Sequence, residues 1–292
     1  MSRNFISISR RTDIPAFYSD WLEEQILQGF CDVRNPFNPN IVSRVSLLPE
    51  DVEGIFFWTR NPRPLMERLR LFDERQYKYI FLYTITGYPR ELERFSPPVE
   101  HSVKTFRKLS EMLGPARIIW RYDPIVITPA LNAAYHHKHF SEIAHALKGY
   151  TSRCKISLLD IYGKAMKRLK KLEGTPLDCL ETPSPDVIAE IMESFKEISA
   201  SCGITLESCT EELSAYGIES SGCISRAAFF EAFGCDPKTP PAKDQRPGCG
   251  CLASRDIGFY NSCLFECAYC YATASFTKAR ERYQEMRKSP LA

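Results

Sequence analysis

Up to about residue 209, the chain alternates short apolar runs with longer amphipathic stretches. Each apolar run is rich in β-branched and aromatic residues and is apolar throughout rather than at every second position. Continuous runs of this kind are typical of parallel strands that are covered on both faces. The predicted strands are NFISIS, GIFFWT, YKYIFLYTIT, ARIIWRY, CKISLLDI and ITLES.

The amphipathic stretches between these runs predict helices. In SDWLEEQILQGF, apolar residues recur at helical spacing, beginning with Trp21 and Leu22. Strand–helix units repeated with right-handed crossovers give an open α/β sheet or a barrel. Because there are six such units rather than eight, we expect residues 1–209 to form a partial (β/α) TIM-like barrel of about six parallel strands. The other predicted helices are PRPLMERLRLF, Glu100 to Leu113, about His139 to Leu147, and PDVIAEIMESFKEISASCG.

The chain changes character after residue 209. CTEELSAYGIESSGCISRAAFFEAFG predicts mostly helix, and the segment that follows is rich in proline, glycine and lysine, which predicts irregular structure. TASFTKARERYQEMRK predicts a basic terminal helix. We therefore expect residues 210–292 to form a cysteine-rich extension that closes over the barrel mouth.

Composition limits the function classes. The chain has 292 residues, and its hydrophobic fraction of 44% supports a full core. The net charge is +2 with acids and bases interspersed, so no general field for binding polyanions is expected. No window is long and apolar enough to span a membrane, and the N-terminus lacks the apolar region of a signal peptide. These features predict a cytoplasmic protein with no membrane partner.

Twelve cysteines are unusual for a reduced cytoplasmic chain. The absence of an export signal disfavours a disulfide framework, so metal or cluster binding is the better explanation for the clustered ones. Cys31, Cys154 and Cys179 are isolated in apolar surroundings, which predicts simple packing.

Polar residues gather where four of the predicted strands end, and parallel α/β folds build their sites at this edge. Guanidinium groups and carboxylates at the strand ends suit a ligand with carboxylate, amine and hydroxyl groups. Asn61 and Asp123 directly precede prolines, so a turn is an equally good explanation for them. The candidate cofactor-binding residues are Arg10, Asp13, Thr59, Asn61, Arg121 and Asp123.

YHHKH contains three histidines, His136, His137 and His139, without a carboxylate or cysteine at ligand spacing. A solvated helix start is therefore expected there rather than a metal site.

NSCLFECAYCYAT places Cys263, Cys267 and Cys270 in a C-x3-C-x2-C array, which we call the cysteine triplet. A structural zinc ion usually takes four protein ligands. Three thiolates from one loop instead suit a [4Fe-4S] cluster with one iron left open to another ligand.

The triplet, with Tyr269 before its last cysteine, resembles the signature of the radical SAM superfamily, and CAYCYA resembles its spore photoproduct lyase branch. The resemblance implies that S-adenosylmethionine chelates the open iron and that one electron cleaves it to a 5′-deoxyadenosyl radical. It also implies that Tyr269 shields the cluster and that an electron donor such as flavodoxin or ferredoxin reduces it. The substrate would be a small molecule or one of unknown kind.

The whole chain resembles the DUF1848 family, through SISRRTDIPAFY, FWTRNP, RYDPI and CGCLASRDIGFYNSC. It departs from the radical SAM superfamily in two ways. The triplet follows the six strands instead of the first, and the Gly-Gly-Glu segment that contacts the methionyl amine is absent. The polar residues at the strand ends would have to bind S-adenosylmethionine instead.

Four other cysteines leave alternatives open. They could hold a second iron–sulfur cluster or a zinc ion, or Cys249 or Cys251 could complete a closed four-thiolate site with the triplet. In that last case the metal is only structural. The basic terminal helix and CAYCYA also allow a nucleic-acid maintenance protein. The candidates for the second site are Cys209, Cys223, Cys249 and Cys251.

Overall fold

The computed structural model describes residues 3–35, 38, 40–210, 213–243 and 248–288. The strands are β1 (Asn4–Ile8), β2 (Phe30–Arg34), β3 (Val42–Ser46), β4 (Val52–Thr59), β5 (Tyr79–Thr84), β6 (Ile118–Ile125), β7 (Arg153–Leu158), β8 (Thr205–Ser208), β9 (Glu219–Ser220) and β10 (Ser254–Asp256). The helices are α1 (Ile14–Phe17), α2 (Ser19–Gln28), α3 (Arg63–Met66), α4 (Leu69–Glu74), α5 (Val99–Leu113), α6 (Ala133–Leu147), α7 (Gly163–Leu169), α8 (Pro185–Cys202), α9 (Arg226–Phe233) and α10 (Phe276–Lys288).

Eight of the strands form one parallel sheet in the order β10-β1-β4-β5-β6-β7-β8-β9. The six strands predicted from continuous apolar runs are all present, as β1 and β4 to β8, and the mixed α/β class with a parallel sheet is confirmed. Within the described ranges the edge strands β9 and β10 do not pair, so no closed barrel is found.

The chain after residue 210 supplies both edges of the sheet. β9 pairs with β8, and β10 pairs with β1 in parallel, with Ser7 opposite Asp256. The segment that was expected to lie over a barrel mouth therefore also extends the sheet. Its predicted helical content is wrong, because between 213 and 243 the only α-helix described is α9.

Other elements differ locally from the predictions. PRPLMERLRLF forms two short helices, α3 and α4, instead of one. The segment that follows α2 forms an antiparallel hairpin, in which β3 pairs with β2. The terminal helix is confirmed as α10.

Apolar layers cover the two faces of the sheet. On one face, α6 and α8 pack on β6 through aromatic side chains, with ring centroids 4.6 Å apart for Trp120 and Phe140 and 3.8 Å apart for Phe140 and Phe195. On the other face, Phe229 of α9 packs against Phe5 of β1 with centroids 5.1 Å apart. This double coverage explains why the strand sequences are apolar throughout.

The prediction of a solvated start for the histidine helix is wrong for His136, because α6 already begins at Ala133. His136 is fully buried, and its ring nitrogens lie 3.0 Å from the Tyr122 hydroxyl and 3.0 Å from the Val126 carbonyl. Burial lowers the pKa of His136 to about 4. The ring therefore has a packing role.

The cysteines predicted to pack are buried, namely Cys31, Cys154 and Cys179. No helix within the described ranges combines the length and the apolar character that crossing a bilayer requires.

Candidate functional site

A cavity of about 510 Å³ lies at the carboxyl ends of the central strands. Parallel α/β folds bind their ligands at this edge, and the volume is in the usual range for small-molecule sites. Seven cysteines line the cavity: the triplet Cys263, Cys267 and Cys270, and a second group made of Cys209, Cys223, Cys249 and Cys251, which we call the thiol tetrad. Of the polar residues predicted from the strand ends, those that line it are Arg10, Asp13, Thr59, Arg121 and Asp123.

The triplet sits on an irregular loop after β10, and Arg168 of α7 fixes the shape of that loop. Its guanidinium donates to the Ala268 carbonyl at 2.8 Å, to the Thr273 carbonyl at 2.9 Å, and also to the Cys270 carbonyl. A guanidinium fork can satisfy several acceptors at once because its donors are held in one plane. Arg168 therefore ties the triplet loop to the helix layer.

Tyr269 anchors the same loop to the sheet edge. Its hydroxyl donates to the Glu93 carboxylate and accepts from Arg60 Nη2 at 2.6 Å. Arg60 and Glu93 form an ion pair of 2.9 Å, and Thr86 donates to Glu93 at 2.6 Å. All four side chains are largely buried. Tyr269, the aromatic residue of the motif, thus helps to position the triplet loop, and it also lines the cavity.

The triplet thiols are in a low-dielectric setting. Burial raises the pKa of Cys267 to about 12, and burial likewise raises the pKa of Cys263 well above its usual value. A neutral thiol is therefore the stable form of both at neutral pH. A bound cation would favour the thiolate, which is the form that binds metal.

Asp13 lies near the triplet but already has backbone partners. Its carboxylate accepts from the Ala16 N–H at 3.0 Å, which caps α1, and from the Arg60 N–H at 2.6 Å. Burial raises the pKa of Asp13 to about 7. Protonation of this carboxyl would weaken the bonds from the Ala16 and Arg60 N–H groups. Asp13 therefore stabilises the local backbone, in addition to any contact that it makes with a ligand.

Asn61 is outside the set of residues that line the cavity. Its side chain accepts from the Arg63 N–H at 3.3 Å, and its own N–H donates to Thr59 Oγ1 at 2.9 Å. The turn explanation that the following proline suggested therefore describes Asn61.

Arg10 and Arg121 stack on the same indole. Each guanidinium carbon lies 4.9 Å from the Trp58 ring centroid. Arg121 also pairs with Asp123, whose other oxygen accepts from Ser157 at 2.8 Å. The two arginines line the same cavity as the thiol tetrad, and the Arg10 guanidinium interacts electrostatically with Cys251.

The tetrad thiols pack together. The Sγ atoms of Cys209 and Cys223 lie 3.3 Å apart, and Cys251 and Cys249 pack in the same apolar cluster. Cys249 and Cys251, which could have completed a closed site with the triplet, thus pack with the other two cysteines, whereas the triplet packs in a different cluster. Over the described ranges, no hydrogen bond joins two thiols of the triplet.

Several buried donors around the cavity lack a partner within the protein. Such groups are costly unless something satisfies them. Four of the eight unpartnered buried atoms in the described residues belong to the cavity wall: Arg10 Nη2, Thr12 Oγ1, Trp58 Nε1 and Arg121 Nε. The cavity thus has the chemistry of a site for a polar or anionic ligand. The described side chains include no group of three or more Cys, His, Asp or Glu that is already arranged to hold a metal ion.

Sequence reasoning missed several residues of this site. Asp256 of β10 accepts from Ser7 at 2.8 Å, Ser9 at 2.7 Å and the Arg10 N–H at 2.8 Å, and so fixes the turn that carries Arg10. Glu93 and Arg168 were missed as well. Asp256 lies within the CGCLASRDIGFYNSC segment that carries the family resemblance. No local spacing marked these residues, because each has partners in distant parts of the chain.

Comparison with known proteins gives a family and no function. No curated protein and no solved structure matches the chain. The family model described as "Domain of unknown function (DUF1848)" matches residues 5–272, and the chain belongs to that family.

Proposed function

We propose that the protein is a radical SAM-like iron–sulfur enzyme whose cysteine triplet holds a [4Fe-4S] cluster. One observation carries the proposal: all three thiols line a cavity that is also bordered by Arg10, Thr12 and Arg121. When bound, the cluster supplies one electron for the reductive cleavage of S-adenosylmethionine. We also propose that the sheet is curved like part of a TIM barrel. The protein would act in the cytoplasm, where a flavodoxin or ferredoxin would reduce the cluster.

The protein groups have distinct tasks in this proposal. Arg168 and Tyr269 hold the triplet loop in place, and the apolar residues around it, such as Phe265, exclude water from the thiols. The unpartnered donors of Thr12 and Arg121 are available to a carboxylate or a ribose hydroxyl. Thr59 and Asp123 complete the polar wall, and a substrate would share the remaining cavity volume.

The decisive experiment is an assay for 5′-deoxyadenosine. The protein would be reconstituted with iron and sulfide under anaerobic conditions, reduced, and given S-adenosylmethionine. We expect slow release of 5′-deoxyadenosine that is lost in Cys270→Ala and retained in Cys179→Ala. Cys179 is a fair control because it packs in the same apolar cluster as Cys267 but does not line the cavity.

A loaded, reducible cluster that releases no 5′-deoxyadenosine would favour the alternative of a structural metal. A shift of the electron-paramagnetic signal on adding S-adenosylmethionine would separate an open iron from a closed site. No observation favours the nucleic-acid alternative, because two basic residues of α10 have internal contacts. Arg280 pairs with Glu266, and Arg282 stacks on Phe259 at 4.5 Å.

A further inference from the structure

We infer that the thiol tetrad binds one tetrahedral divalent ion of the zinc class, separately from any metal held by the triplet. The inference is independent of the proposed radical chemistry. It rests on how three distant segments of chain converge, on the spacing of the thiols, and on the charges beside them.

Three segments bring the tetrad together. Cys209 follows β8, Cys223 follows β9, and Cys249 and Cys251 precede β10. The crossing of the last two segments depends on Gly222, since a Cβ atom there would lie 2.5 Å from the carbonyl oxygen of Gly250 and 2.5 Å from the nitrogen of Cys251. The backbones are thus as close as glycine allows, which is what places Cys223 beside Cys251.

The spacing of the thiols favours a single ion. Four sulfurs held about 2.3 Å from a tetrahedral ion lie about 3.8 Å from one another. The Cys209 and Cys223 sulfurs are 3.3 Å apart, and Cys251 and Cys249 pack in the same cluster. In a [4Fe-4S] cluster each thiolate binds a different iron, so the four sulfurs lie farther apart. The four sulfurs are not yet arranged around one point, so binding of the ion would require the thiol side chains to rotate toward it.

The charges beside the tetrad match this occupant. Four thiolates and one divalent ion carry a net charge of about −2. The Arg10 guanidinium interacts electrostatically with Cys251, and the Arg121 guanidinium does so with Cys223 and Cys209. Both guanidiniums are largely buried and each has an unpartnered nitrogen. The two guanidinium charges would offset the net negative charge of the occupied site. Binding of the ion would release the thiol protons to solvent.

The test measures metals in the full-length protein with the triplet removed. In a Cys263→Ala, Cys267→Ala, Cys270→Ala triple variant, we expect about one zinc per chain and almost no iron. Adding Cys223→Ser or Cys251→Ser to that variant should reduce zinc at least about tenfold. Cys235→Ser is the matched control, because Cys235 belongs to the same part of the chain but does not line the cavity.

A second measurement avoids the risk that tetrad variants fail to fold. The triple variant would be stripped of metal and titrated with Co²⁺, whose tetrahedral thiolate complexes absorb intensely in the visible range. One equivalent with that absorption supports the inference, and its displacement by Zn²⁺ would identify the preferred ion.

Three results would overturn the inference. The triple variant could retain about two to four irons, which would mean a second cluster. Alkylation in denaturant without reductant could find two thiols fewer than after reduction, which would mean a Cys209–Cys223 disulfide. The Cys223→Ser and Cys251→Ser variants could also keep their zinc. None of these results depends on whether S-adenosylmethionine is cleaved, so the two proposals can fail separately.

Discussion

The Glu93 carboxylate lies 2.9 Å from Arg60 Nη2 directly behind the cysteine triplet, and the hydroxyl of Tyr269 completes the contact. Glu93 is only 2% exposed. Arg60 directly follows β4, and Tyr269 lies on the loop that carries the triplet. Through Tyr269, the ion pair therefore joins the end of β4 to that loop. A motif that sequence alone presents as a metal ligand set is therefore held by a buried ion pair.

Glu93→Gln removes the negative charge and leaves Arg60 buried without its counter-ion. Breaking a buried pair in this way costs about 3–5 kcal/mol. We expect a loss of about 3 kcal/mol in the free energy of unfolding, measured by urea denaturation. Glu74→Gln is the control, because Glu74 pairs with Arg70 on the surface, where the side chains are 58% and 88% exposed. It should cost less than about 0.5 kcal/mol. Equal effects of the two variants would contradict the role of Glu93.

Arg168→Lys tests the clamp on the triplet loop. Lysine keeps the charge, but its single ammonium cannot reproduce the planar fork that bonds the carbonyls of Ala268, Cys270 and Thr273. Losing about 1–2 kcal/mol of local stability should speed hydrogen exchange in residues 268–274 about tenfold. Mass spectrometry of exchanged peptides measures this directly. Lys167 lies next to Arg168 on α7, and Lys167→Arg is the control variant. Unchanged exchange in Arg168→Lys would exclude the clamp.

The continuous apolar pattern was enough to predict β1 and β4 to β7, because both faces of these strands are covered and most of their residues are buried. β8 was predicted from ITLES, although only its last two residues are buried. The edge strands gave no such signal. β9 has two residues and β10 three, and both are polar. β10 is recognisable only through its register with β1 and through the contacts of Asp256.

The site was predictable to the extent that it is local in sequence. The spacing of the triplet and the polar strand ends are local features, and most of those residues line one cavity. Glu93 was not predictable, since its partner Tyr269 is 176 residues away. The tetrad was recognised as four cysteines, but their assembly depends on the backbone crossing at Gly222, which only the fold reveals.

Gly222→Ala tests that crossing without removing any thiol. The new Cβ would overlap backbone atoms of Gly250 and Cys251, which cannot rotate away as a side chain could. Overpacking of this kind costs about 1–3 kcal/mol, and we expect that loss in urea unfolding together with weaker retention of zinc. Gly163→Ala is the control, because nothing lies within 4 Å of the position of its Cβ. It should be neutral or slightly stabilising. Matching stabilities for the two variants would mean that the close approach at Gly222 is unimportant.

The buried ring of His136 predicts a loss of stability in acid. The Val126 carbonyl can only accept, so Nε2 carries the proton and Nδ1 accepts from Tyr122. The folded-state pKa is lowered to about 4, whereas an unfolded histidine titrates near 6.5. As the pH falls below about 6.5, His136 becomes protonated in the unfolded chain, whereas in the folded chain it stays neutral until about pH 4. The stability contributed by the neutral ring is therefore complete above about pH 6.5 and is lost between about pH 6.5 and pH 4.

Urea unfolding of the wild type and of His136→Asn between pH 4.5 and pH 7.5 isolates this effect. The wild type should be more stable at pH 7.5, and its advantage should shrink by about 2–3 kcal/mol toward the acid end. His137→Asn changes the exposed neighbour on the same helix and serves as the control variant. A constant gap for His136→Asn would show that the pKa of the ring is the same in the folded and unfolded protein. Its hydrogen bonds to Tyr122 and Val126 would then need reassignment.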